Sequence, residues 1–368
     1  MKNCMNVVEK SLMFDARHAL HDMPELCGCE ENTRAYIKRF LAEHTSLEVI
    51  DMGKWLYAAH REEARQTVAF RADFDAVPLP EGGAAHRCGH DGHTAALLGL
   101  ALLIEGRVLG KNVILLFQYG EETGEGGAEC CKLFEMEKID VIYGCHNIPG
   151  EPMGMVLLRK GTFACASCGF EAELIGEPTH AAYPENGINP TEAIARLSSL
   201  LPKIASELEK KYEAMTMATI VGMYSGEKAF GVAASKGAVY ATLRSESGES
   251  LDEMIEYARN ETKALAERYG LLYKTELYDK FPATVNSADL VAITATKLEM
   301  ISDCKLKYLD VPFRWSEDFG HYGKHTNAVF FGIGSGEQTV PLHTSGYECP
   351  DELALITAEV FFGLCIND

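Results

Sequence analysis

The 368-residue chain has no apolar run of transmembrane length, no basic tract, no internal repeat and no Pro/Ser-rich linker. Its longest apolar stretch, residues 95–104, is bounded by His93 and Glu105 and suits a buried helix, so no membrane association is expected. Against 34 Lys and Arg stand 54 Asp and Glu, a formal charge of −20 that argues against nucleic acid and anionic membranes as partners. The opening segment MKNCMNVVEKSLMFDARHAL carries charge throughout and contains no signal-peptide core. The twelve cysteines are scattered, and pairs such as Cys27/Cys29 and Cys130-Cys131 lack the spacing of a disulfide framework. A cytoplasmic protein with mostly buried, inert thiols is expected.

What is present is ordinary in bulk, 47% hydrophobic and 24% charged, in a length that suggests two or three domains. Residues 9–44 read as one or two amphipathic helices, broken near Pro24 and the Cys27-Gly28-Cys29 turn. From residue 47 to about 161, strand-like and helical segments alternate, the pattern of a largely parallel sheet with helices on both faces. The run Val113-Ile114-Leu115-Leu116-Phe117 is apolar on both parities, which predicts a strand buried on both faces. After Lys160 the order is strand 168–175, helix 190–211, strands 217–224 and 237–244, helix 250–269 and strand 271–277. That β-α-β-β-α-β sequence predicts a ferredoxin-like α+β domain inserted into the larger one. A helix near 289–301, a strand at 328–333 and a final helix at 351–364 return to mixed α/β. The expected fold is therefore α/β, with a mixed, mostly parallel sheet built by residues 1–163 and 279–368 and the insertion at 164–278.

Four of the buried strands run out into residues that bind metals. Residues 67–73 lead to Cys88-Gly89-His90-Asp91-Gly92-His93, and residues 113–118 to Glu121-Glu122. Residues 141–145 stop at His146, and residues 328–333 feed a loop carrying His343. Ligands of open α/β sheets sit outside the carboxyl ends of the strands, so these loops are expected to converge on one crevice. A thiolate, several imidazoles and paired carboxylates there would make a transition-metal site. A lone cysteine is usually core filler, but Cys88 lies in the glycine-punctuated segment HRCGHDGH among three histidines. Cys88 and His90 are read as ligands, and His93 is placed in the first turn of the following helix. Glu121 and Glu122 stand between an apolar strand and Gly124, Gly126 and Gly127, not on a solvated helix face. Neighbours at a strand end point in different directions, so one can coordinate metal while the other serves as general base. Asp73 and Asp75 suit carboxylates that orient ligand imidazoles, the alternative being a structural pair with Arg71.

With these residues in view the chain resembles the dinuclear-metal aminoacylase/carboxypeptidase family of metallopeptidases, in its amidohydrolase branch of hippurate, N-acyl-amino-acid and auxin-conjugate hydrolases. The segments that carry the resemblance are RADFDAVP at 71–78, RCGHDGHT at 87–94, FQYGEE at 117–122, GCHNIPG at 144–150 and SEDF at 316–319. The resemblance implies a zinc-peptidase-like catalytic domain with an inserted lid and dimerisation domain. It implies two divalent ions per chain (zinc, manganese, cobalt or nickel) held by Cys88, His90, Glu122, His146 and His343, with Cys88 shared. Glu121 would be the general acid/base. THAAYPENGINP at 179–190 resembles the lid segment, in which His180 would hydrogen-bond the substrate carbonyl, often from a partner subunit. Asn189 and Arg244 would contact substrate, Arg244 as partner of a carboxylate.

The implied reaction is hydrolysis of an N-acyl amino acid or a related small amide, with a homodimer formed through the lid. A dipeptidase or carboxypeptidase with the same metals, a non-catalytic metal-binding homologue and a Cys88/His90 thiol hydrolase are the alternatives. Two departures bear on specificity. Only EGGAA separates Pro80 from His86, where relatives carry a longer loop, and Gly231 in AFGVAAS stands where they carry asparagine.

Overall fold

The computed structural model describes residues 4–80, 82–301 and 304–366; Glu81, which opens the short loop noted above, lies outside the described residues. The chain divides into two compact units, one of residues 1–163, 284–312 and 318–368, the other of residues 164–283 and 313–317.

The first unit opens with α1 (Val7–His21), whose start is fixed by a capping box between Asn6 and Glu9. Then come α2 (Glu31–His44), β1 (Glu48–Asp51), β2 (Leu56–His60), β3 (Thr67–Asp73) and α3 (His90–Ile104). Next are β4 (Asn112–Gln118), β5 (Val141–Ile148) and β6 (Met155–Leu158). The second unit carries β7 (Ala166–Ile175), α4 (Thr191–Tyr212), β8 (Thr216–Ser225), β9 (Lys236–Ser245), α5 (Gly248–Tyr269) and β10 (Leu272–Phe281). The chain returns to the first unit with α6 (Ala288–Glu299), β11 (Lys305–Tyr308), β12 (Asn327–Gly334) and α7 (Asp351–Ile366).

The main sheet has the order β1-β2-β4-β3-β5-β12-β6-β11. Its centre is parallel: β3 pairs in parallel with β4 and β5, and β5 with β12. All seven residues of β3 and the last six of β4 are buried, as two-sided apolar strands require. Parallel register sets Asp73 opposite Gln118 and Gly332 opposite His146, so β3, β4, β5 and β12 end at one sheet edge. The end of β5 differs from the sequence reading. β5 does not stop at Cys145 but continues through His146 to Ile148, because Gly332, Ile333 and Gly334 of β12 extend the ladder opposite His146, Asn147 and Ile148. Helix α3 is buried along its whole length, and a methyl group at Gly99 would stand 2.6 Å from Met13 Sδ and 3.0 Å from Ala358 Cβ. Glycine there lets α1 and α7 close on α3. No helix among the described residues is long and apolar enough to cross a membrane.

In the second unit the four antiparallel strands have the order β8-β9-β7-β10, that is second, third, first, fourth in the chain. Alternate residues Ala166, Cys168, Phe170, Ala172 and Leu174 of β7 are buried against Leu197 and Leu201 of α4 and Met254 and Ile255 of α5. This is the ferredoxin-like α+β arrangement the periodicity predicted.

Arg71 is buried beneath the sheet edge of the first unit. Its Nη1 lies 2.7 Å from Asp73 Oδ2, its Nη2 2.9 Å from Asp318 Oδ1, and its Nε donates to Gln118 Oε1 at 2.7 Å. Asp318 also accepts the Gly127 N–H at 2.6 Å and Gln118 Nε2 at 2.8 Å. Removing the guanidinium while leaving these carboxylates buried should be costly. Arg71→Met is expected to lose about 3–5 kcal/mol of unfolding free energy, read as a lower midpoint in urea; an unchanged midpoint would contradict this role.

Candidate metal centre

The strand-end loops of the first unit do converge. Cys88 Sγ lies 3.4 Å from His146 Nε2 and 3.2 Å from His343 Nε2. Glu122 Oε1 lies 3.8 Å from His90 Nε2 and 3.6 Å from His343 Nε2. Two sets, Cys88/His90/His146 and Cys88/Glu122/His343, each bring one donor atom per residue within 4.8 Å of one another, and Cys88 belongs to both. His90, Glu121 and Glu122 form a further set, which puts Glu121 beside the others. Donors that each sit about 2.0–2.3 Å from a shared ion stand roughly this far apart.

A cation fits the chemistry of this cluster. His90 Nε2 and Glu122 Oε1 are buried without a hydrogen-bond partner, and such atoms are costly to leave unpaired. Sulfur, imidazole and carboxylate donors together suit a divalent transition metal. Loop geometry brings the last candidate in: His343 takes a left-handed φ of 63°, and its N–H donates to Arg87 O at 2.8 Å. A non-glycine residue held in that region marks a loop fixed by its surroundings.

Oxygen acceptors orient the imidazoles. His90 Nδ1 faces Asp75 through its carbonyl at 2.9 Å and Oδ1 at 3.2 Å, so Nδ1–H donates and Nε2 turns toward Glu122. Asp75 Oδ2 also accepts the Glu122 N–H at 3.0 Å. His146 Nδ1 donates to the Asn147 carbonyl at 2.9 Å, which turns Nε2 toward Cys88. Asp73 pairs with Arg71, the structural alternative raised for it, takes His93 Nδ1 at 2.6 Å and lies 3.7 Å from His90 Nε2. The imidazole it meets most closely is thus His93, which lies in the first turn of α3.

Electrostatics follow from this crowding. Burial, reinforced by Glu122, Glu121 and Asp73, holds the Cys88 thiol well above its usual range. Burial opposes a charge on His90, yet Asp73 and Asp75 push it up to about 10. Burial raises Glu122 to about 7 against the pull of His90. Burial, with His93 and His90 adding to it, drives His146 far down, and burial with His90 lowers His343.

The remaining candidates lie in the second unit. His180 is exposed on the two-residue strand Thr179–His180, and the Ala182 N–H donates to its Nδ1 at 3.0 Å. Asn189 Oδ1 accepts the Thr191 N–H at 2.9 Å at the start of α4. Arg244 donates to Ser316 Oγ at 2.8 Å and to the Arg314 carbonyl; burial lowers its pKa. Two buried residues of the first unit escaped the sequence reading. Asn147 stands beside His146, which was a usable signal, whereas nothing local marks Tyr347.

In the metal-free site the protons therefore sit on Cys88 and His90 at neutral pH, and burial raises the Glu122 carboxyl toward neutrality as well. A metal needs these groups deprotonated, so its binding releases protons and its affinity falls as pH falls. The slope is expected to be about a hundredfold per pH unit near neutrality, a factor of ten for each of the two protons displaced from Cys88 and His90, and steeper at lower pH where Glu122 also protonates. Calorimetry of zinc binding in buffers of different ionisation enthalpy measures the protons released; a release of none would contradict this electrostatic picture.

Comparison with known proteins agrees with the geometry. Residues 69–366 match peptidase family M20/M25/M40. The N-acetyl-L-cysteine deacetylase of Bacillus subtilis (strain 168) is 30% identical over 377 residues, covering 97% of this chain and 88% of that protein. An N-acetylcysteine deacetylase of the same strain is 25% identical, covering 96% of each. The crystal structure of a dinuclear metal-binding peptidase of family M20 from Bacillus subtilis superposes with a TM-score of 0.79 at 23% identity, covering 98% of each chain. At that identity the likeness shows the fold.

Proposed function

We propose, for a chain that belongs to peptidase family M20/M25/M40 and is a metal-dependent hydrolase of amide bonds, that its substrate is an N-acyl amino acid or a related small amide conjugate. The observation that carries the reading is the meeting of two ligand sets at Cys88, with Glu121 beside them. Cys88, His90, Glu122, His146 and His343 would hold two divalent ions, and zinc, manganese, cobalt and nickel all suit such donors. When bound, the ions lower the pKa of a water toward ~7 and polarise the substrate carbonyl.

The rest of the chemistry falls to the chain's own groups. Glu121 takes the proton of the attacking water and passes it to the departing amine nitrogen. His180 donates from Nε2 to the carbonyl oxygen as it gains charge, since its Nδ1 accepts the Ala182 N–H. Arg244 is held by neutral oxygens and keeps its charge for a substrate carboxylate. Asn189 contacts substrate through its amide NH2, since its Oδ1 is engaged at α4. A Cβ at Gly231 would meet nothing within 4 Å, so the position offers space and no polar hold. The names of the two deacetylase relatives support a small N-acyl amino acid.

Strand β8 lies at the edge of its sheet, with Val221 and Met223 exposed at 64% and 58%, which supports a homodimer formed through this unit. No disulfide forms among the described cysteines, which suits a reducing cytoplasm.

Metal-reconstituted protein is expected to cleave N-acetyl or N-benzoyl amino acids in preference to dipeptides; the reverse preference would overturn the substrate assignment. Glu121→Gln should lower kcat about 10²–10⁴-fold with metal content unchanged, and a fully active variant would remove Glu121 from the mechanism. Chelation should abolish turnover, whereas a Cys88 thiol hydrolase would survive it.

A further inference from the structure

One buried side chain touches most of the segments that carry the candidate ligands, and the mechanism above gives it no part. Asn147 is 2% exposed and directly follows His146 on β5. Its carbonyl accepts His146 Nδ1–H at 2.9 Å. Its Oδ1 lies 2.6 Å from His93 Nε2, and its Nδ2 donates to the Tyr347 hydroxyl. His93 in turn meets Asp73 at 2.6 Å, which ties the string to the end of β3 and to Arg71. Tyr347 is buried four residues beyond His343, in the same loop. Gly89, between Cys88 and His90, lies flush against the pair: a Cβ there would stand 2.9 Å from Asn147 Nδ2, 3.0 Å from its Oδ1 and 3.0 Å from the Tyr347 hydroxyl.

We infer that Asn147 is a positioning residue for the metal ligands, holding the Cys88–His90 loop, the His146 ring and the His343 loop in register through Tyr347 and His93. The physical reason is non-local. Cys88, His146 and His343 come from three segments, and the Asn147 amide, with a donor and an acceptor on one rigid group, reaches Tyr347 and His93 at once. A string of buried hydrogen bonds fixes the gap between ligands before an ion arrives, and partners of this kind commonly change metal affinity about 10–100-fold when lost. The inference rests on the metal-site reading above, and its test does not depend on turnover.

Zinc binding to the full chain is measured by competition with a chromophoric chelator, for the unaltered protein, Tyr347→Phe and Asn147→Ala. Tyr347→Phe removes one hydroxyl and keeps the ring, so it remains informative even where Asn147→Ala fails to fold. Zinc affinity is expected to fall about 10–100-fold in either variant. Parent-like zinc affinity in the folded Tyr347→Phe variant would overturn the inference and leave the metal reading intact. So would a lower melting temperature of the metal-free variant with zinc affinity unchanged, since that is a purely structural role. Failure of the unaltered chain to take up any of zinc, manganese, cobalt and nickel would overturn the metal reading, and this inference with it.

Discussion

Buried negative charge at one sheet edge is the constraint on which the first unit depends. Asp73, Asp75 and Asp318 are fully buried and Glu121 nearly so, Asp73 at the end of β3, Asp75 and Glu121 just beyond β3 and β4, and Asp318 in a short 3-10 turn bonded to Arg71. Carboxylates in such surroundings either pair with cations or take up protons. Arg71 supplies one permanent cation, but it is spent on Asp73 and Asp318. Beside Asp75 and Glu122 the imidazole is His90, where Asp73 first and then Asp75 and Glu122 raise the pKa against the burial that opposes a charge. The arrangement is one into which a divalent cation fits, displacing protons as it enters.

Orientation is the second requirement, and backbone geometry meets most of it. His90 and His146 each have Nδ1 committed to an oxygen, so each presents Nε2 to the cluster. Glu121 and Glu122 leave β4 as adjacent residues. Glu122 is tied by its N–H to Asp75 and joins the Cys88/His343 set, while both glutamates share the set with His90. Adjacent carboxylates at a strand end can thus carry different duties without any rearrangement of the chain.

Much of this was legible before any coordinates. The two-sided apolar run 113–117 announced a central strand, and the strict alternation in 168–175 announced a strand with one face covered. The density of donors in HRCGHDGH and the glycines after Glu121-Glu122 singled out residues that the fold brings to one place. Other features left no local trace. β5 runs on past His146 because of its register with β12, a partner almost two hundred residues away in the chain. Asp318 belongs to the recognisable SEDF segment, yet its bonds to Arg71, Gln118 and Gly127 cannot be inferred from that segment.

By itself the sequence determined the secondary elements, the two-part α/β organisation and the kinds of donor available, because periodicity, turn residues and side-chain chemistry are local properties. Tertiary structure alone decided which carboxylate serves which imidazole: Asp75 faces His90, while Asp73 is shared between Arg71 and His93. It also decided that Asn147 and Tyr347, 200 residues apart, would meet beside Gly89. A hydrogen bond needs its partners within about 3 Å and in line, and only the register of parallel strands and the path of the loops between them sets distances that fine.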